Sequence, residues 1–147
     1  MERDSRSPAA KTGTGGKTSS GTGRAVLAAF FAALLMKLFL FEFMVAQGRS
    51  MLPAIRPGAV LLVNKTAYGF RFPWGKSYLL RWARPRRGDV VVFYTPSGEI
   101  AVKRCALITE KDEFIALGDN SVDSFDSRSY GPIPLDAIMG KVFGIND

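Results

Sequence analysis

Polar and apolar residues fall into three blocks along this chain. Residues 1–24 are rich in Gly, Ser, Thr and charge, with almost nothing to bury, and read as a disordered basic tail. From Ala25 to Met36 the sequence AVLAAFFAALLM is unbroken and apolar, and Lys37 and Glu42 then punctuate a further apolar stretch to Ala46. From Phe39 onward the texture changes to short β-branched runs bounded by glycine or proline. Val60–Val63, Asp89–Tyr94, Ile100–Lys103, Glu113–Leu117 and Met139–Ile145 are the expected strands, with Pro96-Ser97-Gly98 as a hairpin connection. Short strands at this spacing predict a mostly β domain built as a compact, partly closed, barrel-like antiparallel sheet.

The apolar block has three readings: an uncleaved membrane anchor, a cleavable secretory signal, or a buried core helix. Crossing a bilayer core takes about 20 residues. Ala25 to Phe43 supplies them if Lys37 extends its long stem to the interface. A cleavable signal ends in a small-x-small exit, whereas Met44-Val45-Ala46 places methionine where a small residue belongs. An apolar run directly behind a basic tail is also unusual for a core helix, so the anchor is favoured. The expected organisation is therefore a cytoplasmic tail over 1–24, a transmembrane anchor over 25–43 and an extracytoplasmic β-rich domain over 44–147. The tail carries five basic residues against two acidic ones, which points the N-terminus into the cytoplasm. Arg49 and Arg56 on the other flank weigh slightly against that orientation.

With 147 residues there is room for one domain plus attachments. The single Cys105 excludes an internal disulfide and, with no histidine in the chain, makes a zinc site of any usual kind improbable. Net charge is +7, of which the tail holds 5 − 2 = +3. The remaining +4 is concentrated in Arg81, Arg84, Arg86 and Arg87, next to the stretch Tyr68–Trp82, where six of fifteen residues are aromatic. Such a stretch suits either the headgroup level of an anionic membrane or the core of a small domain. A division with Phe70 and Phe72 inward and Trp74 and Trp82 outward reconciles the two. A nucleic-acid stacking surface uses the same residue types but fits poorly behind a membrane anchor.

Without histidine, a serine nucleophile must rely on a lysine, a carboxylate or a metal. Ser50 lies between Gly48 and Pro53 at the exit of an expected strand; alone, a serine there is ordinary turn chemistry. Lys103 sits in an apolar strand with Ala101 and Cys105 on its face and Val102 on the other. A lysine has a pKa near 10.4, and burial lowers it by up to about 3–5 units, enough to make it a base. Gly118 to Arg128 reads as a polar loop whose Asp123, Asp126 and Arg128 can pair. Its carboxylates lack the alternation and terminal glutamate of the common calcium loop.

Taken in order, these blocks resemble bacterial type I signal peptidases, the membrane-anchored Ser–Lys proteases. The matching segments are Ser50–Pro53, Asn64–Gly69, Arg87–Phe93, Lys103-Arg104 and Gly118–Arg128, so the likeness runs from about Leu35 to Ile145. The resemblance implies Ser50 as nucleophile, Lys103 as general base and Ser124 as the serine that orients the lysine. It implies that Arg104, Asp119, Asp126 and Arg128 brace the site, and that the Ser50 backbone N–H stabilises the oxyanion. Met44, Ala46 and Val102 are the expected pocket lining. The implied substrates are secreted preproteins carrying signal peptides, cut after small-x-small sites. Membrane lipid, and by extension the protein-export machinery, are the implied partners, with no cofactor and no metal. Cys105 is expected only to pack.

Two positions depart from the pattern. Many relatives carry a serine two residues before the nucleophile, where this chain has Gly48, so backbone donors alone are expected to hold the oxyanion. Ala46 stands where a larger apolar residue usually lines the pocket, and a smaller wall is expected to relax the demand for alanine in the substrate. A specialised conjugation or pilus-maturation peptidase, or a non-catalytic membrane-tethered β domain, are the alternatives. A self-cleaving Ser–Lys repressor would need a DNA-binding module, for which the tail and anchor leave no room.

Overall fold

The computed structural model describes residues 19–72, 75 and 77–146, and the chain divides into two units, Met1–Ala32 and Ala33–Asp147. The described part of the first unit is helical and belongs to α1, Ser19–Phe39. Within this helix the span Gly21–Phe39 is predominantly apolar, interrupted by Arg24 and Lys37, and none of it is buried in protein. A helix this apolar with no protein covering it suits an apolar medium, and 19 residues at 1.5 Å each reach about 28 Å, close to a bilayer core.

The helix is offset from the expected anchor. It is already helical at Ser19, the first described residue, so residues 19–24 are helical rather than disordered, and it stops at Phe39, four residues short of Phe43. Residues 1–18 of the tail lie outside the described residues. The rest of the apolar run is β1, Phe41–Val45, because β2, Val60–Asn64, supplies an antiparallel partner in continuous register from Phe41↔Asn64 to Val45↔Val60. Lys65 fixes the turnover point: its N–H donates to the Leu40 carbonyl, its Nζ donates to the Leu38 carbonyl at 3.0 Å, and Nζ also lies 3.3 Å from Glu42. A cation at the carbonyl end of a helix satisfies orphan acceptors and complements the dipole.

The second unit is a seven-stranded antiparallel sheet in the order β1-β2-β9-β5-β6-β7-β8. Its further strands are β5 (Val90–Tyr94), β6 (Ile100–Ile108), β7 (Glu113–Leu117), β8 (Ile133–Pro134) and β9 (Ile138–Asn146). A two-stranded ribbon, β3 (Gly69–Phe70) with β4 (Leu80–Arg81), stands apart from it. Register shifts at Leu62/Val63, Val92/Phe93 and Cys105/Leu107 bend the strands, and the sheet curls into a half-barrel. This is the mostly β, partly closed architecture expected from the strand spacing, with Pro96–Gly98 in the β5–β6 hairpin.

Alternation along the strands gives the sheet two apolar faces. Val91, Phe93, Cys105 and Phe114 pack in one cluster; Val92 turns the other way and joins Leu61, Val63 and Val142. Met51 and Ile55, from the turn after β1, plug into the second cluster, and their burial anchors the segment that carries Ser50. In the aromatic stretch, Trp82 is 56 % exposed, as expected, while Trp74 lies outside the described residues. Phe72 departs from its inward assignment, being 43 % exposed, because the rings form a chain instead: Phe39 stacks on Phe70 and Phe70 meets Phe72 edge-on.

Candidate active site

Gly48 has φ +81°, a left-handed turn that only glycine adopts without strain, and this reverses the chain from β1 into the Ser50 turn. Lys103 comes from β6, where the register with β7 begins at Arg104↔Leu117. It therefore stands one step past the end of β7, beside the Gly118 turn. Lys103 and Cys105 are both buried and Arg104 between them is not, the alternation the strand reading required. Lys103 Nζ is 2.6 Å from Ser50 Oγ, within hydrogen-bond reach for proton transfer in either direction. Burial lowers the lysine pKa from its usual value; the Asp126 charge opposes that shift and Arg128 reinforces it. The pair is thus a hydroxyl held against an amine that gives up its proton more readily than a free lysine does.

The third contributor is the loop from Gly118 to α2, Ser127–Tyr130. Asp126 caps α2 and is fully buried. Its carboxylate accepts from the Gly118 N–H (2.9 Å), the Ser124 hydroxyl (2.6 Å), and the N–H, Nε and guanidinium nitrogen of Arg128 at 3.1, 2.9 and 2.7 Å. Burial alone would raise its pKa, but the hydrogen bonds from Arg128, Gly118 and Ser124 outweigh it and hold the carboxyl well below the ordinary carboxylate range. Arg104 grips Asp119 with two nitrogens, at 2.8 and 2.6 Å, and reaches the Gly88 carbonyl at 2.8 Å. Donating these hydrogen bonds to Asp119 raises the Arg104 pKa further. These two ion pairs tie the loop to β6 and to α2.

The loop touches Ser50 directly. The Asn120 N–H donates to the Ser50 carbonyl at 2.9 Å, and Asn120 Nδ2 donates to the Arg49 carbonyl at 3.2 Å. Gly118 lies so close that a Cβ there would sit 2.1 Å from Ser124 Oγ and 2.6 Å from the Ser50 carbonyl oxygen. Gly118 and Asn120 fall in a segment the sequence marked but carried no role there, since Gly-Asp-Asn is also common turn chemistry; the approach to Ser50 separates them from an ordinary loop.

Ser124 lies against the same buried carboxylate. Among the described residues its hydroxyl donates to Asp126, and the hydrogen bond of Lys103 Nζ is to Ser50. An ionised carboxylate is the stronger acceptor for the single hydroxyl proton, which leaves the Ser124 oxygen with its acceptor capacity. Cys105 is buried and burial raises its pKa, which keeps the thiol protonated and inert. Among the described residues no group of three or more His, Cys, Asp or Glu is placed to hold a metal ion.

A cleft of about 340 Å³ opens beside the pair, bounded by Met44, Ala46, Gly48 and Ser50 on one side and by Ile100, Val102 and Lys103 on the other. Met44, Ala46 and Val102 all line it. Its lining is mainly apolar, with Ser50, Lys103 and Gln47 as the polar residues.

The family model for signal peptidase, peptidase S26, matches residues 19–108 and 103–145. Relatives include signal peptidase I of Pseudomonas aeruginosa, 40 % identical over 76 residues (51 % of this chain, 26 % of the relative), and that of Haemophilus influenzae, 43 % identical over 72 residues (48 % and 20 %). Signal peptidase I of Bacillus caldolyticus is 27 % identical over 121 residues, covering 72 % of this chain and 60 % of the relative. Against the first of these relatives the chain spans about a quarter of their length. Matched from the apolar helix through β9, the chain belongs to the signal peptidase family, peptidase S26.

Proposed function

We propose that this chain is a signal peptidase: a membrane-anchored serine endopeptidase that removes N-terminal signal peptides from secreted preproteins after small-x-small sites. The observation that carries the reading is the 2.6 Å contact between Ser50 Oγ and Lys103 Nζ at the head of an apolar cleft. Neutral Lys103 takes the hydroxyl proton as Ser50 Oγ attacks the scissile carbonyl carbon. The tetrahedral oxyanion is held by the Ser50 N–H, and the Lys103 ammonium returns the proton to the departing amine. Water, deprotonated by the same lysine, then hydrolyses the acyl-enzyme and frees Ser50. The cycle balances with protein groups alone and uses neither metal nor organic cofactor.

Asp126, Arg128, Arg104 and Asp119 hold the loop against Ser50, and Ser124 holds Asp126. The mainly apolar cleft lined by Met44, Ala46 and Val102 favours an extended peptide with small side chains. The apolar character and length of α1 support a single-pass anchor in the bacterial cytoplasmic membrane, N-terminus inside and sheet outside. There the site meets signal peptides as they emerge from the export machinery. Attachment confines enzyme and substrate to one surface and substitutes proximity for tight binding.

The test is processing of a purified preprotein by the full chain in detergent or lipid, with Ser50→Ala and Lys103→Ala beside it. Wild type is expected to release the mature protein, and each variant to lose about a thousandfold or more in kcat. Cleavage by either variant near the wild-type rate would sink the dyad.

A further inference from the structure

Asn120 binds the main chain on both sides of Ser50. Its N–H donates to the carbonyl of the Ser50–Met51 peptide at 2.9 Å. Its Nδ2 donates to the carbonyl of the Arg49–Ser50 peptide at 3.2 Å, and the Leu52 N–H reaches that same carbonyl at 3.2 Å. The second Nδ2 proton goes to Asp123 Oδ2 at 3.1 Å, so both neighbours of this nitrogen are acceptors and the amide can face only one way. The Arg49–Ser50 peptide is trans, the cis bond of this turn being Leu52–Pro53. In a trans peptide the C=O and N–H point in opposite directions. Fixing the Arg49 carbonyl therefore aims the Ser50 N–H away from the 118–126 loop, and hydrogen bonds to a carbonyl also polarise the N–H of the same amide.

We propose that Asn120 is the positioning residue of the oxyanion site, its side chain orienting and polarising the Ser50 amide that receives the developing negative charge. The inference rests on the proposed Ser50 chemistry. It explains how a site with Gly48, and no hydroxyl, two residues before the nucleophile works from a single backbone donor. That donor is effective only if it does not have to reorganise when charge appears. Asp123 secures the clamp at its outer end, since it receives the second Nδ2 proton and lies 3.8 Å from Arg49 Nε.

The full chain, labelled with nitrogen-15 in detergent micelles, is compared with Asn120→Ala and Asn120→Asp. Asn120→Ala keeps the main-chain bond and loses the side-chain clamp. Asn120→Asp keeps shape but sets a carboxylate against the Arg49 carbonyl and Asp123. Deleting an oxyanion donor outright costs about 10²–10³ in kcat; loosening one is expected to cost about tenfold in Asn120→Ala and more in Asn120→Asp, with KM within twofold. Affinity for a substrate-like peptide aldehyde, which forms a tetrahedral adduct on Ser50, should fall by the same factor. The matching peptide alcohol should bind as before. Hydrogen exchange at the Ser50 amide should quicken in both variants. Unchanged kcat with unchanged Ser50 exchange overturns the clamp, as does equal weakening of aldehyde and alcohol. If the wild-type chain cleaves no preprotein, the peptidase reading fails, and the Ser50 exchange rate still decides whether Asn120 holds the peptide.

Discussion

Lys103 Nζ meets Ser50 Oγ at 2.6 Å across 53 residues of sequence, from a strand position only 6 % exposed. Burial is the largest influence on this lysine and favours its neutral form. A base works above its own pKa, so activity should climb with pH through a midpoint below the ordinary 10.5. Stability follows the same sign: the unfolded lysine binds its proton more tightly, so the cost of burying it is relieved as pH rises. A kcat profile that peaks in mild acid would contradict a lysine base.

Asp126 works on Lys103 in the opposite sense, raising its pKa. Asp126→Asn should therefore shift the kcat profile of the surviving activity toward acid. It should also lower stability at pH 7, because a fully buried carboxylate that accepts from Gly118, Ser124 and Arg128 is replaced by a neutral amide. With its folded pKa depressed, the carboxylate contributes fully above its unfolded value near 3.9 and loses that contribution as pH falls through the lower folded value. Urea unfolding at pH 7 and pH 2 should show the gap between wild type and variant closing in acid. A gap of constant size would refute the linkage.

Gly118→Ala forces a methyl group to within 2.1 Å of Ser124 Oγ and 2.6 Å of the Ser50 carbonyl. The loop must retreat, and kcat should drop at least a hundredfold, since small misplacements at a reacting centre carry that scale of loss. Gly144→Ala is the control: its Cβ would meet only the Leu62 Cβ at 3.8 Å, an ordinary contact. Comparable activity in the two variants would show that the Gly118 approach is not needed.

Ala46 faces the cleft with a methyl group, and a larger residue there would fill space now open to substrate. Preproteins with Ala, Ser or Val before the cut should all be processed by wild type. Ala46→Leu should restore a preference for alanine of about tenfold, the scale of one to two methylenes in a pocket. Strict alanine preference in the wild-type chain would remove this role.

The strands that carry the site could be read from sequence because β-branched runs at Val60, Val90 and Ile100 are bounded by glycine and proline. The helix end was not legible, since residues 25–46 are apolar almost throughout and only pairing with β2 separates Phe39 from Phe41. The two-residue strands β3, β4 and β8 leave no periodic signal at all. Ser50, Lys103 and the 118–128 loop were found as blocks in order. That Ser124 serves Asp126, and that Asn120 grips Ser50, depends on distances the order does not contain.

Lys65 gives the junction after the helix a mechanical character. Its amine holds the Leu38 carbonyl on the helical side and lies against Glu42 on the strand side, with Leu40 alone between the two elements. The junction is a joint rather than a hinge. The last turns of the helix, from Ala33 on, ride with the sheet, and Ser50, a short turn beyond β1, keeps a constant station relative to the point where the helix ends. The span from the end of the helix to the Ser50–Lys103 pair is thereby set by the fold itself, as a fixed stop sets a gauge.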